Sequence, residues 1–235
     1  MLQRLREEVL EANLELVRQS LVLYTFGNVS GIAREQGLVV IKPSGAPYQT
    51  MTPQDLVVTD LAGTIIEGRL KPSSDLPTHL VLYNHFPGIG GIAHTHSAYA
   101  TAWAQARKPI PCFGTTHADY FHGEVPVTSD LTESEIAGEY EENTGHVIVR
   151  GLQDADPLAT PGILVANHGP FTWARDATTA AHNAAILEYI ARMAYFTLGI
   201  DAAAPSAGNS LRDKHHFRKH GKNAYYGQAE HQENK

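Results

Sequence analysis

The residues of this chain that could do chemistry most directly are three histidines that follow apolar runs. His94 and His96 lie at the end of the run 89–95, and residues i and i+2 of a strand point to the same side. Two neighbouring imidazoles suit a metal ion, and a hydrogen-bonded or surface pair is the equal alternative. His168 follows a second apolar run, ILVAN. If all three meet, they form a His₃ site with open positions, as in catalytic rather than structural zinc sites.

Asp75 has two interpretations. It closes the segment Lys71-Pro-Ser-Ser-Asp, and its position before a predicted helix favours an N-cap. The alternative is a carboxylate ligand or a base beside a metal ion. The adjoining Ser73 and Ser74 offer hydroxyls and backbone N–H groups that suit a phosphate at a helix N-terminus.

Two further turns have a composition that suits an anion. The segment 42–45 (KPSG) combines a cation, a hydroxyl and a glycine that lets the backbone approach a ligand closely, and Gly27-Asn28 resembles it. Glycine, serine and proline also simply mark turns. These patterns alone therefore leave a phosphate site open.

Two polar segments in the second half of the chain also hold titratable groups. The segment 115–120 (TTHADY) contains His117 and Asp119, and a polar turn is the alternative to a catalytic loop; His117 is assigned no ligand role. The segment 211–227 is rich in Lys, Arg and His and contains Tyr225-Tyr226. It could be a solvated helix face, a nucleic-acid tail or a cationic lid over an anionic substrate, and its two phenols could donate protons.

The spacing of hydrophobic residues predicts the helices and strands that must position these side chains. A 3-4-3-4 apolar spacing over 2–16 predicts an amphipathic helix. Further helices are predicted from 74 or 75 to about 86, over 98–106, at a Thr132/Glu135 capping box and after Asp176. Strands are predicted at 29–33, 38–41, 56–59, 64–67, 89–95 and 163–167, the last ended by Gly169-Pro170. Hairpins mixed with helices predict one α/β or α+β layer domain around a largely antiparallel sheet.

The composition excludes several classes of protein. The 235 residues are 43% hydrophobic and 18% charged, which is typical of a globular protein. The net charge of −7 disfavours non-specific binding of nucleic acid. The sequence has no apolar stretch long enough for a transmembrane helix, and four glutamates within the first 15 residues argue against a secretory signal. With Cys112 as the single cysteine, we expect a cytoplasmic protein.

Taken together, several segments between about residue 24 and residue 228 resemble the class II (zinc) sugar-phosphate aldolase/epimerase family. They are TFGNVSG, VIKPSG, KPSSD, GGIAHTHSAYATAWAQA, GTTHADYFHGEVP, NHGPFTW and RKHGKNAYYGQ. The resemblance implies a single α/β domain over residues 1–228, with a central, mainly antiparallel β-sheet flanked by helices in a three-layer fold. It further implies a disordered tail over 229–235 and a C4 homotetramer with active sites between neighbouring subunits.

The resemblance also implies which residues bind ligands. One Zn²⁺ per subunit would be bound by His94, His96 and His168, with Asp75 as the carboxylate at the metal, and Mn²⁺ or Co²⁺ could substitute. The substrate phosphate would be held by a larger set of turn residues: Gly27, Asn28, Lys42, Ser44, Gly45, Ser73 and Ser74.

Within the family, the segments HADYF and AYYGQ resemble the epimerase branch more closely than the aldolases. Such an enzyme interconverts L-ribulose 5-phosphate and D-xylulose 5-phosphate by breaking and re-forming the C3–C4 bond. Asp119 and Tyr226 would be the acid/base pair on the two faces of the reacting carbon. His215 would lie close to them, reaching in from the adjacent subunit.

Three alternatives stand beside this hypothesis. A class II aldolase of the fuculose-1-phosphate type would release its fragments. A non-catalytic binding module such as the adducin head domain need not keep metal ligands. Without the resemblance, a zinc hydrolase would be the preferred interpretation, although the chain has no HExxH motif. The expected partner is a small ketopentose phosphate, with no nucleic acid and no membrane, and the pathway is open between arabinose and ascorbate breakdown.

Overall fold

A seven-stranded sheet lies at the centre of the computed structural model, which describes residues 2–153, 155–222 and 224–226. Its strands are β1 (Asn28–Ala33), β2 (Leu38–Ile41), β3 (Val57–Asp60), β4 (Ile65–Glu67), β5 (Gly91–His94), β6 (Gly162–Val165) and β7 (Gly169–Ala174). The strand order is β4-β3-β2-β1-β5-β7-β6, and each neighbouring pair is antiparallel. The predicted antiparallel sheet is therefore confirmed.

Eight α-helices accompany the sheet within these described ranges. They are α1 (Leu2–Arg18), α2 (Leu76–His85), α3 (Ala98–Ala106), α4 (Thr115–Ala118), α5 (Glu133–Ala137), α6 (Tyr140–Leu152), α7 (Ala177–Ile200) and α8 (Asn209–His220). Short 3₁₀ turns occur at Arg34–Gln36, Tyr48–Thr50 and Pro53–Asp55. In the part of the chain that the structure covers, none of these helices combines the length and the apolar character needed to cross a lipid bilayer.

The sheet is the middle of three layers because both of its faces are apolar. Along β2, Val39 and Ile41 pack in a cluster with residues of α2 and α6, whereas Val40 packs on the other side with residues of α1 and α7. This alternation is the period of two that places successive strand residues on opposite faces. The sheet is thus flanked by helices on both sides, as predicted.

Most of the local predictions are confirmed. The helix predicted over 98–106 has those bounds, and both predicted hairpins form, β1–β2 and β3–β4. Gly37 adopts a left-handed φ of 64° in the first hairpin, where a side chain would be strained. The predicted capping box also forms, since Thr132 Oγ1 accepts a hydrogen bond from the Glu135 N–H at the start of α5.

The strand predicted over 163–167 forms as β6 and stops at Val165, before Gly169-Pro170, but the sequence does not predict that a further strand starts at these two residues. These residues begin β7, which pairs with both β5 and β6. Asn167, at φ 63°, makes the tight turn between β6 and β7, and asparagine is one of the few residues that tolerates this conformation. Pro170 is the second residue of its strand, close to the strand start where proline is tolerated. The predicted domain boundary at 228 and the predicted tail over 229–235 lie outside the described residues.

Candidate functional site

The three histidines singled out from the sequence meet at one end of the sheet. His94 is the last residue of β5, His96 follows it, and His168 lies in the turn that leads into β7, the neighbour of β5. One ring nitrogen of each lies within 4.8 Å of the others, and His94 Nε2 is 3.1 Å from His96 Nε2. Over residues 2–153, 155–222 and 224–226, this is the one group of three or more His, Cys, Asp or Glu side chains so arranged.

The fold fixes the tautomer and the orientation of His94. Its Nδ1 lies 3.0 Å from the carbonyl oxygen of Pro170, which can only accept a hydrogen bond, so Nδ1 carries the proton. Nε2 consequently presents a lone pair to the cluster. The ring also stacks on Phe171, with centroids 4.1 Å apart. This supporting hydrogen bond is the kind that orients histidines in metal sites.

The other two imidazoles are held more loosely and lie nearer the solvent. His96 is exposed and His168 is half-buried, with the Tyr140 hydroxyl 3.4 Å from His168 Nδ1. Burial and the neighbouring imidazoles lower the pKa of both His96 and His168 below the usual value. Both rings are therefore neutral near pH 7 and can offer lone pairs.

The cluster fits a divalent transition metal. Two imidazole nitrogens bound to one tetrahedral zinc ion, at about 2.1 Å each, lie about 3.4 Å from one another. The 3.1 Å between His94 and His96 is close to that separation. Neutral imidazoles suit zinc and other first-row metals, and three of them leave coordination positions open.

Asp75 lies on the wall of the same pocket but outside the three-histidine group. It holds the position before α2, yet among the described residues its carboxylate bonds Asn28 Nδ2, at 2.6 Å, and caps no helix N–H, so the predicted N-cap bond is wrong. Burial raises the pKa of Asp75, but His94, His79 and the Asn28 amide outweigh it and leave the pKa below the usual value. The carboxylate is therefore ionised beside the cluster.

The pocket in front of the histidines, about 400 Å³ in volume, also contains every residue predicted to hold phosphate. Besides the histidines and Asp75, its wall includes Gly27, Asn28, Lys42, Ser44, Gly45, Ser73 and Ser74. The structure thus brings together three turns that are distant in sequence.

Main-chain contacts hold these turns side by side. A bridge joins Pro43 to Pro72, the Ser44 N–H donates to the Lys71 carbonyl at 2.9 Å, and the Ser73 N–H donates to the Lys42 carbonyl at 3.0 Å. The serine pair and the KPSG turn therefore form one rim of the pocket.

Gly27 closes the third turn against the histidines. Its φ of 75° is left-handed, and a Cβ there would lie 2.9 Å from the His94 carbonyl oxygen. Only glycine fits both constraints. The turn can therefore approach the end of β5 closely.

Lys42 is the cation of the pocket. It is 2% exposed, its Nζ donates to the Thr25 carbonyl at 3.1 Å, and Nζ lies 4.7 Å from the centre of the Tyr48 ring. Burial lowers the pKa of Lys42 to about 8, although the Asp75 carboxylate acts in the opposite direction. A buried ammonium of this kind binds strongly to an anion that displaces its remaining water.

The three predicted proton-transfer residues lie elsewhere in the chain, and His215 contacts Asp119 of its own chain rather than reaching it from an adjacent subunit as expected. Asp119 follows α4 and accepts hydrogen bonds from Arg218 Nε at 3.0 Å, Arg218 Nη2 at 2.8 Å and His215 Nδ1 at 3.1 Å. The Arg218 guanidinium also lies 4.4 Å from the centre of the Tyr226 ring. We call Asp119, His215, Arg218 and Tyr226 the Asp119 cluster. Its members are absent from the described lining of the histidine pocket.

The Asp119 cluster shows how part of the basic segment near the C-terminus is used in the fold. Helix α8 packs against α4, and Arg218 is paired with Asp119 rather than facing solvent, so a purely solvated helix face is excluded. Burial raises the pKa of Asp119, but the hydrogen bonds from Arg218 and His215 outweigh it and leave the pKa below the usual value. Asp119 is therefore an ionised carboxylate.

Sequence reasoning missed four residues that line the histidine pocket: Thr25, Phe26, Tyr140 and Glu141. Tyr140 begins α6, and its hydroxyl is the group nearest His168 Nδ1 among the described contacts. The local sequence carries no signal for this role, because Tyr140 reaches the pocket only through the packing of α6 against α2 and β6.

The chain is similar to known proteins both in sequence and in fold. Across 97% of this chain and the whole of the relative, the sequence is 55% identical to L-ribulose-5-phosphate 4-epimerase UlaF of Salmonella paratyphi B, and the same identity and coverage hold for the protein of that name from Salmonella typhi. Among solved structures, an L-fuculose 1-phosphate aldolase matches with a TM-score of 0.77 and 26% identity, over 90% of this chain and 94% of the other.

A more distant structure agrees on the fold alone. The L-fuculose-1-phosphate aldolase of Thermus thermophilus superposes with a TM-score of 0.67 at 23% identity, over 87% of this chain and 99% of the other. The profile of the class II aldolase and adducin N-terminal domain matches residues 7–195. With its antiparallel sheet and histidine pocket, the chain belongs to the class II aldolase and adducin N-terminal domain family.

Proposed function

We propose that this protein is a zinc-dependent epimerase that interconverts L-ribulose 5-phosphate and D-xylulose 5-phosphate. The observation that carries the proposal is the single pocket in which three histidines face a buried lysine and two serine-containing turns. The identity of 55% to relatives named L-ribulose-5-phosphate 4-epimerase supports the choice of substrate. A pocket of about 400 Å³ is also a suitable size for a five-carbon sugar phosphate.

The chemistry requires more than removal of a proton from carbon. The C4 hydrogen of a 2-ketose is not acidic, because the carbonyl lies two bonds away at C2. Breaking the C3–C4 bond avoids this difficulty: the C4 hydroxyl loses its proton, C4 becomes an aldehyde, and the electron pair passes to the C2–C3 fragment. After the aldehyde rotates, the C3–C4 bond forms again on the other face of its carbonyl group. The configuration at C4 is thereby inverted.

His94, His96 and His168 would hold the zinc ion, with the Asp75 carboxylate beside them. The bound ion supplies a Lewis acid for the oxygens of the ketose. Lys42 and the serine turns would hold the phosphate end of the substrate. This grip has to retain the aldehyde fragment while allowing its carbonyl to rotate.

Proton transfer is assigned to Asp119 and Tyr226, with His215 beside Asp119. Because these residues are absent from the described wall of the pocket in their own chain, we propose that they act on the pocket of a neighbouring subunit in a C4 homotetramer. Three large apolar side chains near the pocket are exposed: Leu23 by 70%, Tyr24 by 85% and Phe26, which lines the pocket, by 56%. Such exposure is expected of a face that a neighbouring subunit covers.

The alternative is a class II aldolase that releases its fragments, which the structural match to an L-fuculose 1-phosphate aldolase favours. Incubation of the zinc-loaded protein with L-ribulose 5-phosphate separates the two. We expect D-xylulose 5-phosphate without free glycolaldehyde phosphate. Release of the aldehyde as the main product would favour the aldolase, and no turnover of either kind would exclude the proposed substrate.

A further inference from the structure

Glu188 makes two hydrogen bonds to the first turn of α3, the helix that follows His94 and His96. It lies on α7, and its two carboxylate oxygens accept hydrogen bonds from the N–H groups of Tyr99 and Ala100, both at 2.9 Å. These are first-turn N–H groups of α3, which have no partner within their own helix. Ser97 occupies the N-cap position, but in the described structure its side chain makes no capping bond. A carboxylate from another helix thus caps α3.

This cap lies next to the segment that carries His96. His94 is fixed within β5 and by its bond to Pro170, whereas α3 begins at Ala98. His96 lies on the short link between these two elements and is exposed. The position of its imidazole therefore depends on where the first turn of α3 is held.

A second polar contact keeps α3 in register with α7. Trp103 Nε1 donates to the Ala191 carbonyl at 3.1 Å, about one turn along each helix from the Glu188 contact. The negative charge of Glu188 at the N-terminus of α3 is also favoured by the helix dipole. Helix α7 therefore fixes α3 both along and around its axis.

We propose that Glu188 is a positioning residue for His96, because it anchors the helix that sets where this imidazole lies relative to His94 and His168. The inference rests on the proposed function in so far as the three histidines bind a divalent metal. It adds a role for a residue that touches neither the metal site nor the substrate pocket.

The experiment compares metal binding by the full chain and three variants. Glu188→Ala removes both acceptors, and Glu188→Gln keeps one of them in a side chain of the same size. Asp176→Ala is the matched control, because Asp176 is also a carboxylate that caps a helix, α7 itself, through the Thr179 N–H at 2.6 Å. Zinc affinity is measured by competition with a chromophoric chelator, and the visible spectrum of the Co²⁺ form reports the ligand geometry.

We expect Glu188→Ala to weaken zinc binding by at least about tenfold and to alter the Co²⁺ spectrum, as is usual when a group that supports a metal ligand is lost. Glu188→Gln should show a smaller loss, and Asp176→Ala should bind like the wild type. If Glu188→Ala and Glu188→Gln bind zinc like the wild type, or if Asp176→Ala weakens binding equally, the inference is wrong while the proposed function stands. A wild-type chain that binds no divalent metal would overturn both.

Discussion

The histidine pocket and the Asp119 cluster are assigned to one reaction, but the fold holds them in different ways. The pocket is built from strand ends and tight turns whose main chains bond to one another, as at Pro43–Pro72 and between Ser73 and Lys42. The Asp119 cluster is built from charged side chains, with Arg218 on α8 reaching back to Asp119 after α4.

In the proposed mechanism, this difference separates the residues that bind metal and phosphate from the residues that transfer protons. Backbone contacts in a sheet fix a site within one chain, so metal and phosphate affinity should be properties of a single subunit. Side-chain ion pairs on a peripheral helix can be presented to another molecule. The comparison therefore predicts that damage to the pocket abolishes binding, whereas damage to the Asp119 cluster leaves binding intact and stops turnover.

The largest effect is expected from His96→Ala. His96 is exposed, so its loss should cost little folding energy while it removes one of the three proposed metal ligands. Loss of metal removes several kcal/mol of transition-state stabilisation, or about 10³-fold in kcat. Metal analysis and the epimerase assay measure both effects, with the exposed His182→Ala as the control. Full zinc occupancy in His96→Ala would exclude this ligand assignment.

The second prediction concerns Tyr226→Phe, which removes the phenol but keeps the ring over Arg218. We expect zinc content and assembly to be unchanged and kcat to fall by about 10²-fold or more, the usual value of a positioned acid or base. The measurement is kcat beside zinc stoichiometry. A kcat equal to that of the wild type would exclude a proton-transfer role.

Mixed tetramers of two inactive variants test whether the pocket and the Asp119 cluster of one active site come from different subunits. If each active site combines the pocket of one subunit with the Asp119 cluster of the next, co-expressed His96→Ala and Tyr226→Phe chains should regain about a quarter of wild-type activity, because random ring assembly joins two intact halves at that frequency. The specific activity of mixed tetramers measures this. Mixtures as inactive as their parents would show that the two halves act within one chain.

A smaller effect is expected from pH, through Lys42. Burial lowers the pKa of Lys42 to about 8, so its ammonium is charged below pH 8 and increasingly neutral above it. The phosphate grip should weaken in that range, with KM rising by up to about tenfold per pH unit. Lys42→Met should have a high KM that no longer changes there, while Lys71→Met, at an exposed lysine, should follow the wild type. A wild-type pH profile in Lys42→Met would contradict the assignment.

The smallest effects concern stability and compare two glycines of the pocket. Gly27 and Gly45 both have a left-handed φ, but a Cβ would collide only at Gly27, at 2.7 Å from Val22 and 2.9 Å from the His94 carbonyl. We expect Gly45→Ala to lower the free energy of unfolding by about 1 kcal/mol and Gly27→Ala by about 3 kcal/mol. Urea denaturation measures both, and equal losses would show that the turn at Gly27 can relax.

Much of the fold follows from local patterns. The 98–106 helix, both hairpins and the Thr132 capping box were predictable because each depends on residues within a few positions. Strand β7 was not predictable, because a Gly-Pro pair usually marks a turn. Here the left-handed turn at Asn167 allows a new strand to begin at Gly169. Asp75 likewise lies where an aspartate would be expected to cap a helix. Its carboxylate instead accepts a hydrogen bond from the Asn28 amide, which is distant in sequence and lies on the wall of the pocket.

The site was predictable in part, for a related reason. The histidine pair at 94 and 96 is a local signal, but no local pattern brings Lys42 to Ser73, or Arg218 to Asp119 across 99 positions of the chain. The resemblance to a family groups Lys42 with Ser73, and Asp119 with Tyr226 and His215, whereas the pairing of Arg218 with Asp119 comes from the structure alone. The role of Glu188 lay beyond both, because it acts on main-chain N–H groups, which leave no trace in the sequence.

The contact between His94 and Pro170 joins positions 76 residues apart. An ion held by His94 and His168 would therefore tie β5 to the β6–β7 hairpin, which emerges much later during synthesis. Capture of the ion by both histidines has to wait until that hairpin has docked. Because opening of the hairpin would carry His168 away from His94, bound metal should oppose that opening, and metal-loaded protein should unfold at a higher temperature than the apoprotein.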